Sequence, residues 1–282
     1  MKFVSFRLKG KNSYGVVEGD GVIDLGKRFG KKYPTLRAAL VDGALAKLRK
    51  AAKGKKPDVK LAKIALLPVV PDARKIVCVG LNYREHRAET GRPDTEHPTL
   101  FTRWADSQVG HEQPMLLPRE SVKLDWEGEL AVIIGRSGRR IPKEDAMKYV
   151  AGYSCYNDGS VRDWQRHTSQ FIPGKNFPST GGFGPWMVTA DALKDIASQT
   201  LTTRVNGVIK QQATIDMMIF DIPSLIHYIS TFTPLRPGDV IVTGTPGGVG
   251  FVRNPPEFMK PGDVCEIEIT GIGVLRNRIK NG

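Results

Sequence analysis

The sequence predicts a mainly β, α+β fold built from two unequal parts, and three observations carry that prediction. Strand-like apolar runs dominate beyond residue 73, among them KIVCVG (Lys75–Gly80), ELAVIIG (Glu129–Gly135) and GDVCEIEI (Gly262–Ile269). Helical patterns are few and short and show no regular strand–helix–strand rhythm, which excludes a doubly wound parallel sheet. The composition also changes near Asp72, after the proline-marked stretch LPVVPD (Leu67–Asp72). Residues 1–72 therefore read as a small N-terminal α+β domain and 73–282 as the larger one.

Along the chain, FVSFRL, YGVVE and GVIDL within residues 1–30 alternate weakly between glycine turns and predict short strands. TLRAALVDGALAKLRKAAK (Thr35–Lys53) is helical and interrupted by Gly43. Beyond the boundary, helix is expected after Asn82, over Lys143–Val150, over Ala190–Ala197 and over Ile222–Ser230. LTTRV and VIKQQ flank Asn206-Gly207, the signature of a type I′ hairpin. Pro-Gly-Asp-Val occurs twice, at Pro237 and Pro261, each time as a tight turn feeding a strand.

Composition bounds the function. The chain has 282 residues, 40% of them hydrophobic, enough for a substantial core. MKFVSFRLKG lacks the apolar stretch of a signal peptide, and no run approaches a membrane span, so a cytoplasmic protein is expected. Cys78, Cys155 and Cys265 form no close pair, which argues for buried free thiols and against a zinc knuckle or a disulfide framework. The net charge of +13 invites a nucleic-acid reading. However, residues 1–72 hold 17 Lys+Arg against 6 Asp+Glu, and residues 73–282 hold 25 against 23. The basicity centres on KLRKAAKGKK (Lys47–Lys56), which has no aromatic residue to stack on a base. A solvated helix end accounts for it, with no nucleic-acid or membrane partner.

LDWEGELAVIIG (Leu124–Gly135) poses the chemical question. On one strand, Asp125, Glu127 and Glu129 share a face. Three like charges there repel, and burial costs several kcal/mol each unless they are paired. CEIEI places Glu266 and Glu268 at the same spacing opposite Cys265, Ile267 and Ile269, as on a half-exposed strand. The earlier strand differs. Trp126, Leu130, Val132 and Ile134 fill one face, and the acid face continues into Ala131 and Ile133, so both faces look covered. A solvated strand end or a hard divalent cation such as Mg²⁺ or Mn²⁺ would relieve the repulsion. Asp158, in YNDGS, is a third ligand or an ordinary turn residue, and spacing leaves both open.

Six segments in order resemble the fumarylacetoacetate hydrolase family over roughly residues 74–279. They are VGLNYREHRAE, LDWEGELAVIIG, YNDGSVRDWQ, GKNFPSTGGFGPW, VNGVIKQQ and PGDVIVTGTPGGVG. The resemblance implies a mixed β-roll catalytic domain, a homodimer and one divalent metal per subunit held by Glu127, Glu129 and Asp158, with Asp125 in support. It points to His86 and Glu89 as an oriented general base, and to Lys175 as a cation facing the substrate. Arg103 and Thr245 are its candidate substrate-binding residues. GTPGGVG (Gly244–Gly250) lacks the ending of a phosphate loop, and the resemblance implies that it lines the site. His227 is read as structural, and His97, His111 and His167 show no ligand spacing. The sequence departs from the family pattern at Arg103, Gly159 and Pro178.

The resemblance implies a metal-dependent hydrolase that cleaves a carbon–carbon bond in a small anionic 2-oxo acid of the 1,3-dicarbonyl or acylpyruvate type, in the catabolism of aromatic or related compounds. His86 would deprotonate the attacking water, and Lys175 would stabilise the enolate left by cleavage. Decarboxylation of an oxaloacetate-like 2-oxo acid, and isomerisation or hydration of an unsaturated one, use the same site. A non-catalytic basic binding protein on the same fold is the reading from another class. Glu127→Ala is expected to keep the fold and lose turnover and metal affinity.

Overall fold

A computed structural model describes residues 1–282. Its organising strand is Gly128–Ile134, buried along its whole length. Leu130, Val132 and Ile134 enter one core together with Trp126, whereas Ala131 and Ile133 enter a second. The unbroken apolar run is thus explained by cover on both faces. On one side the strand pairs antiparallel with Val150–Asp158, and on the other with Val240–Val242. Ile76–Gly80 and Thr99–Arg103 complete that edge of the large mixed sheet. A five-stranded sheet, with Thr200–Val205 and Val264–Ile269 at its centre, supplies Leu201, Val205 and Ile267 to the first core. Leu130→Ala should cost about 2–5 kcal/mol of stability through lost burial and a residual cavity, read as a lower urea midpoint.

The expected domain boundary takes a different form. Lys2–Leu8 pairs antiparallel with Gly181–Thr189, with Lys2 opposite Val188 and Phe3 opposite Met187. The N-terminal strands therefore extend the same sheet as Gly128–Ile134 and Val150–Asp158. LPVVPD is a buried seam and not an open linker: Val69 and Val70 are each 1% exposed, and Asp72 pairs with Arg37 at 2.9 Å. Prolines mark this stretch because it makes few ladder bonds, while its valines fill the second core beside the N-terminal helices.

Local signals are mostly realised. Gly43, at φ +64°, separates helices Leu36–Val41 and Leu45–Ala52. The second helix turns Leu48 and Ala52 inward and leaves Lys47 and Lys50 outside, while Arg49 is half-buried against Asp191. Asn206 and Gly207 both have positive φ and join the hairpin strands where Val205 faces Val208. In the two Pro-Gly-Asp-Val turns, Asp239 accepts from the Arg236 amide at 2.9 Å, and Asp263 accepts from the Lys260 amide at 2.7 Å. Glu266 and Glu268 are half-buried and pair with Arg276 and Arg204.

Two helical expectations shrink. Lys143–Tyr149 is 3₁₀, and only Ala190–Ala192 of the next segment turns. Each is too short to offset helix nucleation without a broad apolar face. Ile222–Phe232 has that face, and Asp221 caps it by accepting from the Ser224 amide. No helix is long and apolar enough to cross a membrane. All three cysteines are buried and free.

Candidate metal centre and active site

The acid-bearing stretch is not one strand. Leu124–Asp125 and Gly128–Ile134 are separate ladders, broken at Trp126–Glu127. The Glu127 amide donates to the Asn157 side-chain oxygen at 3.1 Å, outside any ladder. The break frees Asp125 from the shared face that simple alternation predicts. Asp125 instead accepts from the amides of Trp126 and Gly250 at 2.8 Å, from Phe251 at 3.0 Å and from Arg162 Nε at 2.8 Å. Four donors satisfy it, which fits a supporting residue.

Glu127 and Glu129 converge with Asp158, the last residue of the neighbouring strand Val150–Asp158. One carboxylate oxygen from each lies within 4.8 Å of the others, and all three residues are buried. Two of them have full counter-charges. Glu127 meets Arg162 Nη1 and Lys175 Nζ, both at 2.7 Å. Asp158 meets Arg103 Nη1 at 2.6 Å and Lys175 Nζ at 2.7 Å. Glu129 receives only the Gly244 amide, at 2.5 Å.

The electrostatics follow this asymmetry. Burial works to raise the Glu127 pKa, but Lys175 and Arg162 reverse it and hold the carboxyl well below its ordinary range. Burial pushes Glu129 far up, and the nearby Asp158 and Glu127 push it further. Burial alone would lower Lys175, but Asp158 and Glu127 hold it above the ordinary lysine value. A hard divalent cation fits this donor set: three clustered carboxylates, one of which has no counter-charge of its own.

His86 and Glu89 sit on helix Arg84–Glu89. His86 Nδ1 lies 2.7 Å from Glu89 Oε1. A carboxylate can only accept, so Nδ1 donates and Nε2 keeps the lone pair of a base. The other Glu89 oxygen accepts from the Gly248 amide at 2.8 Å. The glycine loop thereby serves three acids at once, with Gly244 on Glu129, Gly248 on Glu89 and Gly250 on Asp125. Gly244 and Gly248 have φ of +103° and +101°, a conformation suited to glycine. A Cβ at Gly244 would also lie 2.6 Å from the Asn82 Cβ.

A cavity of about 170 Å³ joins these parts, with His86, Glu127, Glu129, Lys175 and Thr245 in its wall. Thr245 donates to the Gly128 carbonyl at 2.8 Å and accepts from Gln211 at 2.7 Å. Arg103 does not line this cavity, contrary to its expected contact with substrate. It is 2% exposed, and its guanidinium is used on Asp158, the Gly159 carbonyl and Thr180. A guanidinium reaches these three acceptors together and so fixes Asp158 from behind.

Sequence reasoning missed Arg162, which bridges Asp125 and Glu127, as well as Asn157 and Gln211. The clue to Arg162 was a cationic residue four positions beyond Asp158. The remaining histidines behave as read: His227 Nδ1 meets the Ile141 carbonyl at 2.7 Å, and His111 accepts from the Arg276 amide.

A family model described as fumarylacetoacetate (FAA) hydrolase, C-terminal, matches residues 75–280. The chain belongs to the fumarylacetoacetate hydrolase family. Oxaloacetate tautomerase YisK of Bacillus subtilis is 36% identical over 300 residues, covering 99% of this chain and 100% of the relative. Mitochondrial oxaloacetate tautomerase FAHD2A of Bos taurus is 39% identical over 269 residues, covering 93% of this chain and 84% of the relative. Among solved structures, maleylpyruvate hydrolase from Sphingobium sp. SYK-6, in complex with manganese(II) and pyruvate, superposes with a TM-score of 0.83 at 29% identity and full coverage of both chains. This member of the fumarylacetoacetate hydrolase family is therefore an enzyme, and its acidic triad suits a divalent ion.

Proposed function

We propose that the chain is a metal-dependent tautomerase of small 2-oxo diacids of the oxaloacetate type, using Mg²⁺ or Mn²⁺. One observation carries the reading: a single oriented imidazole and a buried ammonium share a cavity with Glu127 and Glu129 of the acidic triad. Curated relatives matching nearly the whole chain bear the tautomerase name, which favours it over the carbon–carbon hydrolase that the family name suggests.

Keto–enol exchange needs one proton moved between carbon and oxygen. His86 Nε2 takes a proton from C3 of the substrate. The C3–H electron pair becomes the C2–C3 double bond, and the negative charge goes to the C2 oxygen. Lys175 supplies positive charge to this wall and stabilises that oxygen. Delivery of the proton from His86 to the oxygen gives the enol and restores the base. Glu89 holds the ring in the required tautomer throughout. A bound divalent ion would supply Lewis acidity at the 2-oxo group, held by Glu127, Glu129 and Asp158.

Enol absorbance in Mn²⁺-containing buffer, followed beside product analysis by NMR, tests the reading. Accelerated keto–enol equilibration with neither carbon dioxide nor a new carboxylic acid supports it. Faster release of an acid from acylpyruvates would replace it with the hydrolase reading, which the same His86–Glu89 pair favours by its capacity to activate water. His86→Ala should lower kcat about 10²–10⁴-fold, the usual contribution of a positioned acid–base group, while leaving Mn²⁺ affinity intact in calorimetry. We also propose a homodimer, in keeping with exposed Trp104 and Phe232 beside the free edge of Thr99–Arg103. Light scattering reads that state directly.

A further inference from the structure

We infer that Arg92 and Arg166 form a subsite for the distal carboxylate of the substrate, and so select dianionic over monoanionic 2-oxo acids. This rests on the proposed 2-oxo acid chemistry and names the part of the molecule that reads the substrate.

Both arginines wall the same cavity as Glu127, Glu129 and His86. They come from different elements. Arg92 follows the turn that ends the His86 helix, and Arg166 caps the short helix Arg162–Gln165. The ion pairs of the centre use Arg103, Arg162 and Lys175, and leave Arg92 and Arg166 without a carboxylate partner. Arg166 lies 4.4 Å from the centroid of the Phe251 ring, and Arg162 lies 4.3 Å from it. Arg162, committed to Asp125 and Glu127, and Arg166, with no carboxylate partner, thus share one aromatic ring. Arg162 Nη2 is also buried with no hydrogen-bond partner.

Charge explains what the two uncommitted arginines of the wall suit. Asp125, Glu127, Glu129, Asp158 and Glu89 carry five negative charges, and Arg103, Arg162 and Lys175 return three. A divalent ion held by the triad would return the other two. The loaded centre is then balanced before any substrate enters. A dianion adds two negative charges, and the two free guanidiniums in the wall match them. Arginine suits the task because its fork meets a carboxylate through two parallel hydrogen bonds.

The test is calorimetry on the Mn²⁺-loaded protein with two probes. One is 3,3-difluoro-oxaloacetate, which keeps both carboxylates and has no C3 proton to move. The other is pyruvate, which lacks the distal group. In Arg92→Gln/Arg166→Gln, the Kd for the first probe should rise at least tenfold, with the Kd for pyruvate unchanged within twofold. Arg92→Lys/Arg166→Lys should recover part of the loss. With oxaloacetate as substrate, the change should fall on KM and not on kcat. Equal losses for both probes, or no loss for either, overturn the subsite. If wild-type protein shows the probe difference but no tautomerase activity, the proposed reaction fails and the subsite stands.

Discussion

Glu129→Gln is expected to bind Mn²⁺ at least 100-fold more weakly than the wild type, to lose turnover with it, and to keep its metal-free melting temperature within about 2 °C. The basis is the unequal pairing inside the triad. Glu129 has no cationic partner and receives one amide hydrogen bond, from Gly244. Burial and two neighbouring acids already drive it toward its neutral form. Glutamine has the same shape and can keep that hydrogen bond. No buried cation is left stranded, so the fold is spared. Metal affinity is not, because an anionic ligand becomes neutral; changes to groups merely supporting a ligand already cost about 10–100-fold. Calorimetry gives the affinity, and thermal melts with and without Mn²⁺ give the second signature. The wild type should melt higher with metal, and the variant should not. A variant that binds Mn²⁺ normally would remove Glu129 from the ligand set.

Glu127→Ala should behave in the opposite way and lose stability along with metal binding. The sequence suggests a silent structural background for this change, because Glu127 reads there as a ligand alone. The structure places it between Lys175 and Arg162, each at 2.7 Å and each buried. Truncation leaves buried cations short of their counter-charge, a loss of about 3–5 kcal/mol. In a chain of this size that lowers the melting temperature by roughly 10 °C. Glu127→Gln should fall between wild type and alanine, since its amide can still accept a hydrogen bond from one cation. Urea melts of the metal-free proteins separate the three. Equal stability for wild type and Glu127→Ala would show that the Lys175 and Arg162 pairs do not hold the fold.

The contrast shows which features were legible in the sequence. Both the covered strand and its acids could be read from LDWEGELAVIIG, because alternation assigns Leu130, Val132 and Ile134 to one core and Ala131 and Ile133 to another. The triad and the His86–Glu89 pair were legible only with the family resemblance, since strand and helix periods place residues on faces and do not bring distant segments together. Asp125 was misplaced by the same alternation, because a break at Trp126–Glu127 depends on the Asn157 side chain thirty residues away. Arg103 looked available to substrate because a strand sequence carries no sign of which charged side chain will be walled in. Its burial follows from Asp158, Gly159 and Thr180 meeting behind the triad. The seam at Val69 and Val70 was hidden by its prolines, which signal broken ladders equally well in a linker and in a core.

The glycine loop has a consequence for how such an enzyme changes over generations. Gly244, Gly248 and Gly250 hold Glu129, Glu89 and Asp125 through main-chain amides, which side-chain replacement cannot individually retune. A shift of that segment would disturb all three together, so selection for a new substrate meets its strongest resistance there. Arg92 and Arg166 hold no such shared duty. Adaptation to a longer, shorter or uncharged acid can proceed at that rim while the reactive interior stays as it is.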